Sequence, residues 1–169
     1  CSVDRYRALV ARGRAAIPNL NLTTDLIVGF PGETDEQFAE SLSFVEEIGF
    51  SHIHIFSYSP REGTVAARLP NQLPRAVKQA RSLQMHELSC RLRARRLSET
   101  VGQTRPVLWE GRGLLLPDGQ YSWTGYTDHY MRVETSLFDA VDLHNRITPT
   151  RLDAALADGR LAGTICDAL

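Results

Sequence analysis

The chain has 169 residues, 43% hydrophobic and 23% charged, with a net charge of −1; that length supports one sizeable core or two small ones. No apolar run approaches the ~18 residues of a membrane span, and the opening CSVDRYRALV lacks the apolar region and cleavage pattern of a secretory signal, so the expectation is a soluble, cytoplasmic chain with no membrane partner. Cys1, Cys90 and Cys166 are far apart and odd in number, which excludes a disulfide framework or a CxxC-type metal clip, and no metal ligand is assigned.

Val3, Tyr6, Val10 and Ile17 recur at helical spacing between Ser2, a candidate cap, and Pro18, which predicts a helix over about residues 3–16. NLNLTTDLIVG alternates loosely and is β-branched, predicting a strand from Leu22 to Val28. Thr34 followed by Gln37 forms a capping-box pattern, Phe38, Leu42 and Val45 make one apolar face, and Gly49 stops the helix. SHIHIFSYS is the next strand. Strand, helix and strand at this length predict a parallel βαβ unit with a right-handed crossover.

Residues 60–74, with Pro60, Gly63, Pro70 and Pro74, predict an extended connector, and a long helix follows over about residues 75–100. Val77, Ala80, Met85, Leu88 and Leu92 share one arc of it, while Leu83 and Leu97 lie elsewhere, so packing on more than one face is expected. From Arg75 to Arg105 there are eight Lys and Arg against Glu87 and Glu99, a basic stripe that either faces solvent or touches an RNA backbone. Beyond Gly102 come the short runs TRPVLWE, QYSWTGYT, HYMRVET, LHNRIT and RLAGTI, punctuated by Pro117-Asp118-Gly119 and Asp158-Gly159. Five short strands predict a small closed barrel and a boundary near residue 101.

GFPGE stands where a parallel strand ends, the place at which α/β layers put ligands. Gly29 and Gly32 let a backbone approach a ligand closely, and the next helix start offers N–H groups to oxygen-rich or anionic groups. Equally, the glycines shape a tight turn; GxxxxGK[ST] and GxGxxG are both absent, so a nucleoside triphosphate site is not supported. Alternation puts Asp25 on a face with Thr23, Ile27 and Gly29, and His52, His54, Phe56 and Tyr58 could look into the same space, without metal-ligand spacing. Farther on, Trp123, Tyr126, His129, Tyr130 and Arg132 crowd one hairpin, the aromatic and cationic mixture that binds RNA by stacking and charge. Alternation sets Tyr130 and Arg132 on one face and His129, Met131 and Val133 on the other, while Trp109, among apolar neighbours, is expected in the core.

TTDLIVGFPGE, then HIFSYSPREGTVAARLPNQLP, then the basic helix, then VLWE and GYTDHYMRV resemble, in that order, the C-terminal half of the tRNA methylthiotransferases, radical S-adenosylmethionine enzymes. GYTDHYMRV with HIHIFSYSPREGT looks most like the branch acting on threonylcarbamoyl-adenosine beside the anticodon. The resemblance implies an α/β fold: the end of a (β/α) radical-SAM barrel over residues 1–74, a basic connecting helix over 75–101, and a small all-β, OB-like TRAM domain for RNA binding over 102–169. It also implies that S-adenosylmethionine lies near Asp25, Gly29, Gly32 and Glu33, with Ser59 and Arg61 at the same rim. Two 4Fe-4S clusters, a reductant protein and the anticodon stem-loop of tRNA would be the remaining cofactors and partners. Arg95, Arg96, Trp123, Tyr126, Tyr130 and Arg132 are the expected RNA contacts.

The CxxxCxxC motif of the radical cluster and the cysteines of the second are absent from this sequence, so no catalytic residue is assigned and the isolated chain is expected to be inactive. The chain therefore reads as the C-terminal portion of a longer enzyme that works with a missing N-terminal half. The alternatives are a stand-alone RNA-binding module without catalysis, and an unrelated α/β enzyme that uses GFPGE for a phosphate ligand.

Overall fold

The computed structural model describes residues 2–138 and 141–166, and forms two compact units, one up to Arg93 and one from Ala94. Cys1 lies outside the described residues. In the first unit, α1 (Val3–Ala16) starts at Ser2, whose hydroxyl accepts the Arg5 N–H. β1 (Thr23–Val28), α2 (Asp35–Ile48) and β2 (His52–Ser57) follow, with the two strands parallel and in register from Thr23↔His52 to Val28↔Ser57.

The capping box of α2 is closed in both directions: Gln37 N–H donates to Thr34 Oγ1 at 3.2 Å, and Thr34 N–H donates to Gln37 Oε1 at 3.0 Å. Such a cap is worth about 1 kcal/mol. Gly49, at φ 63°, ends the helix in the left-handed region. Val28, Phe38, Val45, Ile48, Phe50 and Ile53 form the core with Val10 of α1. Among the described residues this sheet has two strands, and the rest of a (β/α) barrel is not part of it.

The long helix α3 (Arg75–Thr100) contributes Met85, Leu88 and Leu92 to that core, as their shared arc predicts. Ala80 of the same arc is exposed, and Arg81 is buried beside it. Leu83 is 61% exposed, so the second packed face expected of the helix does not exist there. Its last residues, from Ala94, belong to the second unit, where Leu97 and Thr100 are buried.

β3 (Thr104–Leu115), β4 (Tyr121–Thr127), β5 (Arg132–Leu137), β6 (Ile147–Ala155) and β7 (Leu161–Ile165) close into a barrel in the order β3-β4-β5-β7-β6. β3 pairs β6 antiparallel, and a short parallel seam, Val133↔Leu161 and Glu134↔Ala162, joins β5 to β7. This is the closed five-stranded arrangement of an OB-like barrel. The fourth strand starts later than LHNRIT suggests: residues 143–146 turn, and the strand runs from Ile147. Inside lie Val107, Trp109, Trp123, Met131, Val133, Leu143, Leu152 and Leu161. Trp109 Nε1–H donates to the buried Thr148 hydroxyl at 2.8 Å, which satisfies its one polar atom.

Candidate nucleic-acid interface

The glycine turn after β1 is filled by the chain itself. A Cβ at Gly29 would lie 2.4 Å from Lys78 Cγ of α3, so the group for which glycine leaves room here is a lysine stem. Lys78 Nζ goes on to donate to the Tyr58 carbonyl at 3.1 Å. The N–H groups of the turn are also taken: Gly29 N–H donates to Glu33 Oε2, Gly32 N–H to the Asn71 carbonyl and Glu33 N–H to the Phe30 carbonyl. Glu33 Oε2 in turn accepts from Arg81 Nη1 at 2.6 Å, and Arg81 Nη2 donates to Asp35 at 2.7 Å. Gly29, Gly32 and Glu33 thus serve the framework of the turn as well. For the phosphate-ligand alternative, the N–H groups of Gly29, Gly32 and Glu33 are already engaged.

Asp25 has a different setting. It is exposed on β1 beside His54, its cross-strand partner, and the same face carries Ile27 and Phe56, paired with each other and each more than half exposed. The His52 and His54 rings meet edge to face, 4.5 Å apart. Burial, then the His54 and Arg93 charges, push the His52 imidazole below its ordinary value. Ser59 and Arg61 are exposed in the segment after β2. Among the described residues no three His, Cys, Asp or Glu side chains converge as metal ligands, and Cys90 and Cys166 fall in separate units. The residues present do not fit an iron–sulfur cluster.

The barrel presents the second candidate surface. Cross-strand rows run Ile147–Leu108–Tyr126–Arg132 and Glu110–Thr124–Glu134 over β6, β3, β4 and β5. Leu108, Arg132 and Ile147 are exposed and Tyr126 is half-buried, so this is an outer face. Trp123 is on the other: it is 4% exposed in the core, which corrects its expected RNA contact. The reason is parity, since Trp123, Gly125 and Thr127 point inward while Thr124 and Tyr126 point outward. Crowding in one hairpin carries no information on face.

Tyr130 is not in a strand. It occupies the turn between β4 and β5 at φ 58° and is 88% exposed, with its ring 6.2 Å from that of Tyr126. Thr127 Oγ1 accepts the N–H groups of His129 and Met131 within that turn. His129 is half-buried; burial, then Arg105, push its imidazole below the ordinary value, against the opposing pull of Asp128. Leu108 and Ile147 were not singled out by sequence, and the alternation of TRPVLWE was the signal that could have found Leu108.

Much of the basic stripe is engaged within the chain. Arg81 is buried, Arg91 is 3.5 Å from Glu46, and Arg95 and Arg96 lie 3.7 and 3.4 Å from the two oxygens of Glu99. Arg105 is 3.4 Å from Asp128. Arg95 stays largely exposed, and exposed pairs of this kind hold weakly enough to exchange for a phosphate.

No protein-family model matches the chain. It is 45% identical over 125 residues to the tRNA-2-methylthio-N(6)-dimethylallyladenosine synthase of Bacillus velezensis and 43% identical over 125 residues to that of Bacillus subtilis, in each case over 74% of this chain and 24% of the relative. The protein of the same name from Chloroflexus aurantiacus is 37% identical over 157 residues, 90% of this chain and 32% of the relative. The chain thus spans about a quarter to a third of the length of these curated relatives. All are named for dimethylallyladenosine, which supports a methylthiotransferase portion and not the threonylcarbamoyl-adenosine branch that the motifs implied. No helix among the described residues is long and apolar enough to cross a membrane.

Proposed function

We propose that this chain is the C-terminal portion of a tRNA methylthiotransferase of the dimethylallyladenosine type, carrying the end of its S-adenosylmethionine barrel and its TRAM domain. The similarity at 37–45% identity over 125 to 157 residues carries the reading. In such an enzyme S-adenosylmethionine and two iron–sulfur clusters supply the radical, sulfur and methyl chemistry, with a reductant protein as electron source. Their thiolate ligands would come from the part of the enzyme that this chain does not contain. On the chain's own side, Asp25, Ile27 and Phe56 offer one carboxylate and two apolar groups on an accessible sheet face, and Ser59 and Arg61 lie beyond the end of β2. Lys78 and Arg81 hold the turn that follows β1, and so fix where that strand ends. The barrel would hold the anticodon stem-loop through Tyr126, Tyr130 and Arg132, with Arg95 and Arg96 close in sequence on α3.

One observation favours a second reading: the barrel is closed around its own core, and no cluster ligands converge among the described residues, as suits a stand-alone RNA-binding module. Mass spectrometry of tRNA nucleosides from cells lacking the gene separates the two. The proposal expects the methylthio form of dimethylallyladenosine to vanish and the unmethylthiolated form to accumulate. Loss from threonylcarbamoyl-adenosine instead would reverse the branch, and an unchanged nucleoside profile would leave the binding module.

A further inference from the structure

The barrel contains an internal comparison. Its three antiparallel connections, Leu116–Gln120, Leu156–Arg160 and Thr127–Met131, close with the same pair of backbone hydrogen bonds. In each, the first residue donates to the carbonyl of the fifth, and the fourth donates to the carbonyl of the first: Leu116 to Gln120 and Gly119 to Leu116; Leu156 to Arg160 and Gly159 to Leu156; Thr127 to Met131 and Tyr130 to Thr127. The fourth residue is left-handed every time, at φ 83° for Gly119, 82° for Gly159 and 58° for Tyr130. Glycine takes that conformation freely, and a residue with a bulky side chain does not. The other non-glycine residues at positive φ among those described are Asn19, Asn71 and Asn145, the residue type that tolerates it best. Tyr130 is the exception, and its ring, 88% exposed, gains little burial to offset the strain.

We infer that Tyr130 is kept in this turn to bind, and that the outer face it shares with Tyr126 and Arg132 takes an unpaired nucleobase stacked on the tyrosine rings; this rests on the RNA-binding reading of the barrel. The two rings lie 6.2 Å apart, inclined by 50°, with Arg132 directly across from Tyr126 and the hydroxyls of Thr124 and Ser122 farther along β4. Aromatic faces beside an arginine are how single-stranded RNA is gripped on OB-like barrels. Charge decides between loop and double helix. From Ala94 onward the sequence has eight Arg and no Lys against ten Asp and Glu. Of these arginines, Arg96, Arg105 and Arg160 are held in half-buried ion pairs, while Arg95 and Arg151 are in exposed pairs that can exchange for a phosphate. A duplex backbone needs a track of available cations, and this face offers Arg132 flanked by Glu134, itself paired with Arg160.

The test is Tyr130→Gly in the full chain, with two readouts. Both tryptophans, Trp109 and Trp123, are buried in the barrel, so tryptophan fluorescence follows the melting of that unit alone. The variant is expected to melt about 4 °C higher, because the strain is relieved. It is expected to bind a labelled, unmodified anticodon stem-loop RNA about 5- to 150-fold more weakly. Tyr130→Phe should keep the parent's affinity, and a blunt RNA duplex should compete poorly with the stem-loop. A lower melting temperature for Tyr130→Gly would mean that the ring serves the fold, and equal affinity of Tyr130→Gly and parent would mean that no base stacks there; either overturns the inference while leaving RNA binding intact. Equal competition by the duplex would overturn the choice of an unpaired base. A parent chain that binds neither RNA overturns the RNA-binding reading itself.

Discussion

Arg81 shows how much of one residue's role is set by its surroundings. It sits in a run of basic residues that suggests a polyanion surface, yet it is 5% exposed and faces Glu33 and Asp35. Glu33 also receives the Gly29 N–H, so one carboxylate holds both the turn and the helix α3. Removing it leaves the buried guanidinium with Asp35 and the Glu33 carbonyl but takes away one charged partner and the acceptor of the Gly29 N–H, and Glu33→Ala is expected to lower stability by about 2 kcal/mol. Chemical denaturation followed by circular dichroism would measure this. His129 makes a prediction about pH. Its imidazole is held below its ordinary value of 6.5, so between that value and the lower folded one the unfolded chain binds more protons than the folded one. The stability from keeping His129 neutral is full above about pH 6.5 and is lost as the pH falls toward the folded value. The fluorescence melting temperature of the barrel should drop between about pH 7.5 and about pH 5.5, and His129→Gln should make the drop smaller.

At the scale of elements, what is local was legible and what depends on distant partners was not. The start and stop of α1 and α2 follow from Ser2, Thr34, Gln37 and Gly49, whose hydrogen bonds and dihedrals involve residues within a turn of themselves. The two apolar arcs, and the turns at Asp118-Gly119 and Asp158-Gly159, are equally local. Gly29 is the contrary case. Its sequence context announces a close approach but not by what, because Lys78 arrives from another element far along the chain. Likewise the aromatic crowd of β4 does not say which ring faces inward; the hydrogen-bond register decides that, and it turns Trp123 in and Tyr126 out. Gly29→Ala is expected to destabilise the first unit by about 2 kcal/mol, from its left-handed φ of 74° and the collision with Lys78. Adding Lys78→Ala should recover part of this, and a double-mutant cycle that shows simple additivity would contradict the contact.

For the whole molecule, the two units differ in completeness. The barrel has every strand paired on both sides and a core of its own, whereas the first unit has a two-stranded sheet with Ile27 and Phe56 exposed on one face. Edges and apolar faces left without partners open more readily. Amides in residues 22–58 should therefore exchange hydrogen faster than those in residues 104–135, and even protection across both would contradict the difference. The existence of a small closed barrel at the end of the chain was legible from evenly spaced turns, and its strand order was not, since the β5–β7 seam joins runs that carry no mutual signal.

The most direct measurement of the central claim, that this chain brings a tRNA-binding barrel to a methylthiotransferase, is backbone amide NMR of the full chain titrated with an unmodified anticodon stem-loop. Shifts are expected to concentrate at Leu108, Thr124 to Arg132 and Ile147, with lesser ones at Arg95 and Arg96. Shifts confined to the first unit, or none at low salt, would contradict it.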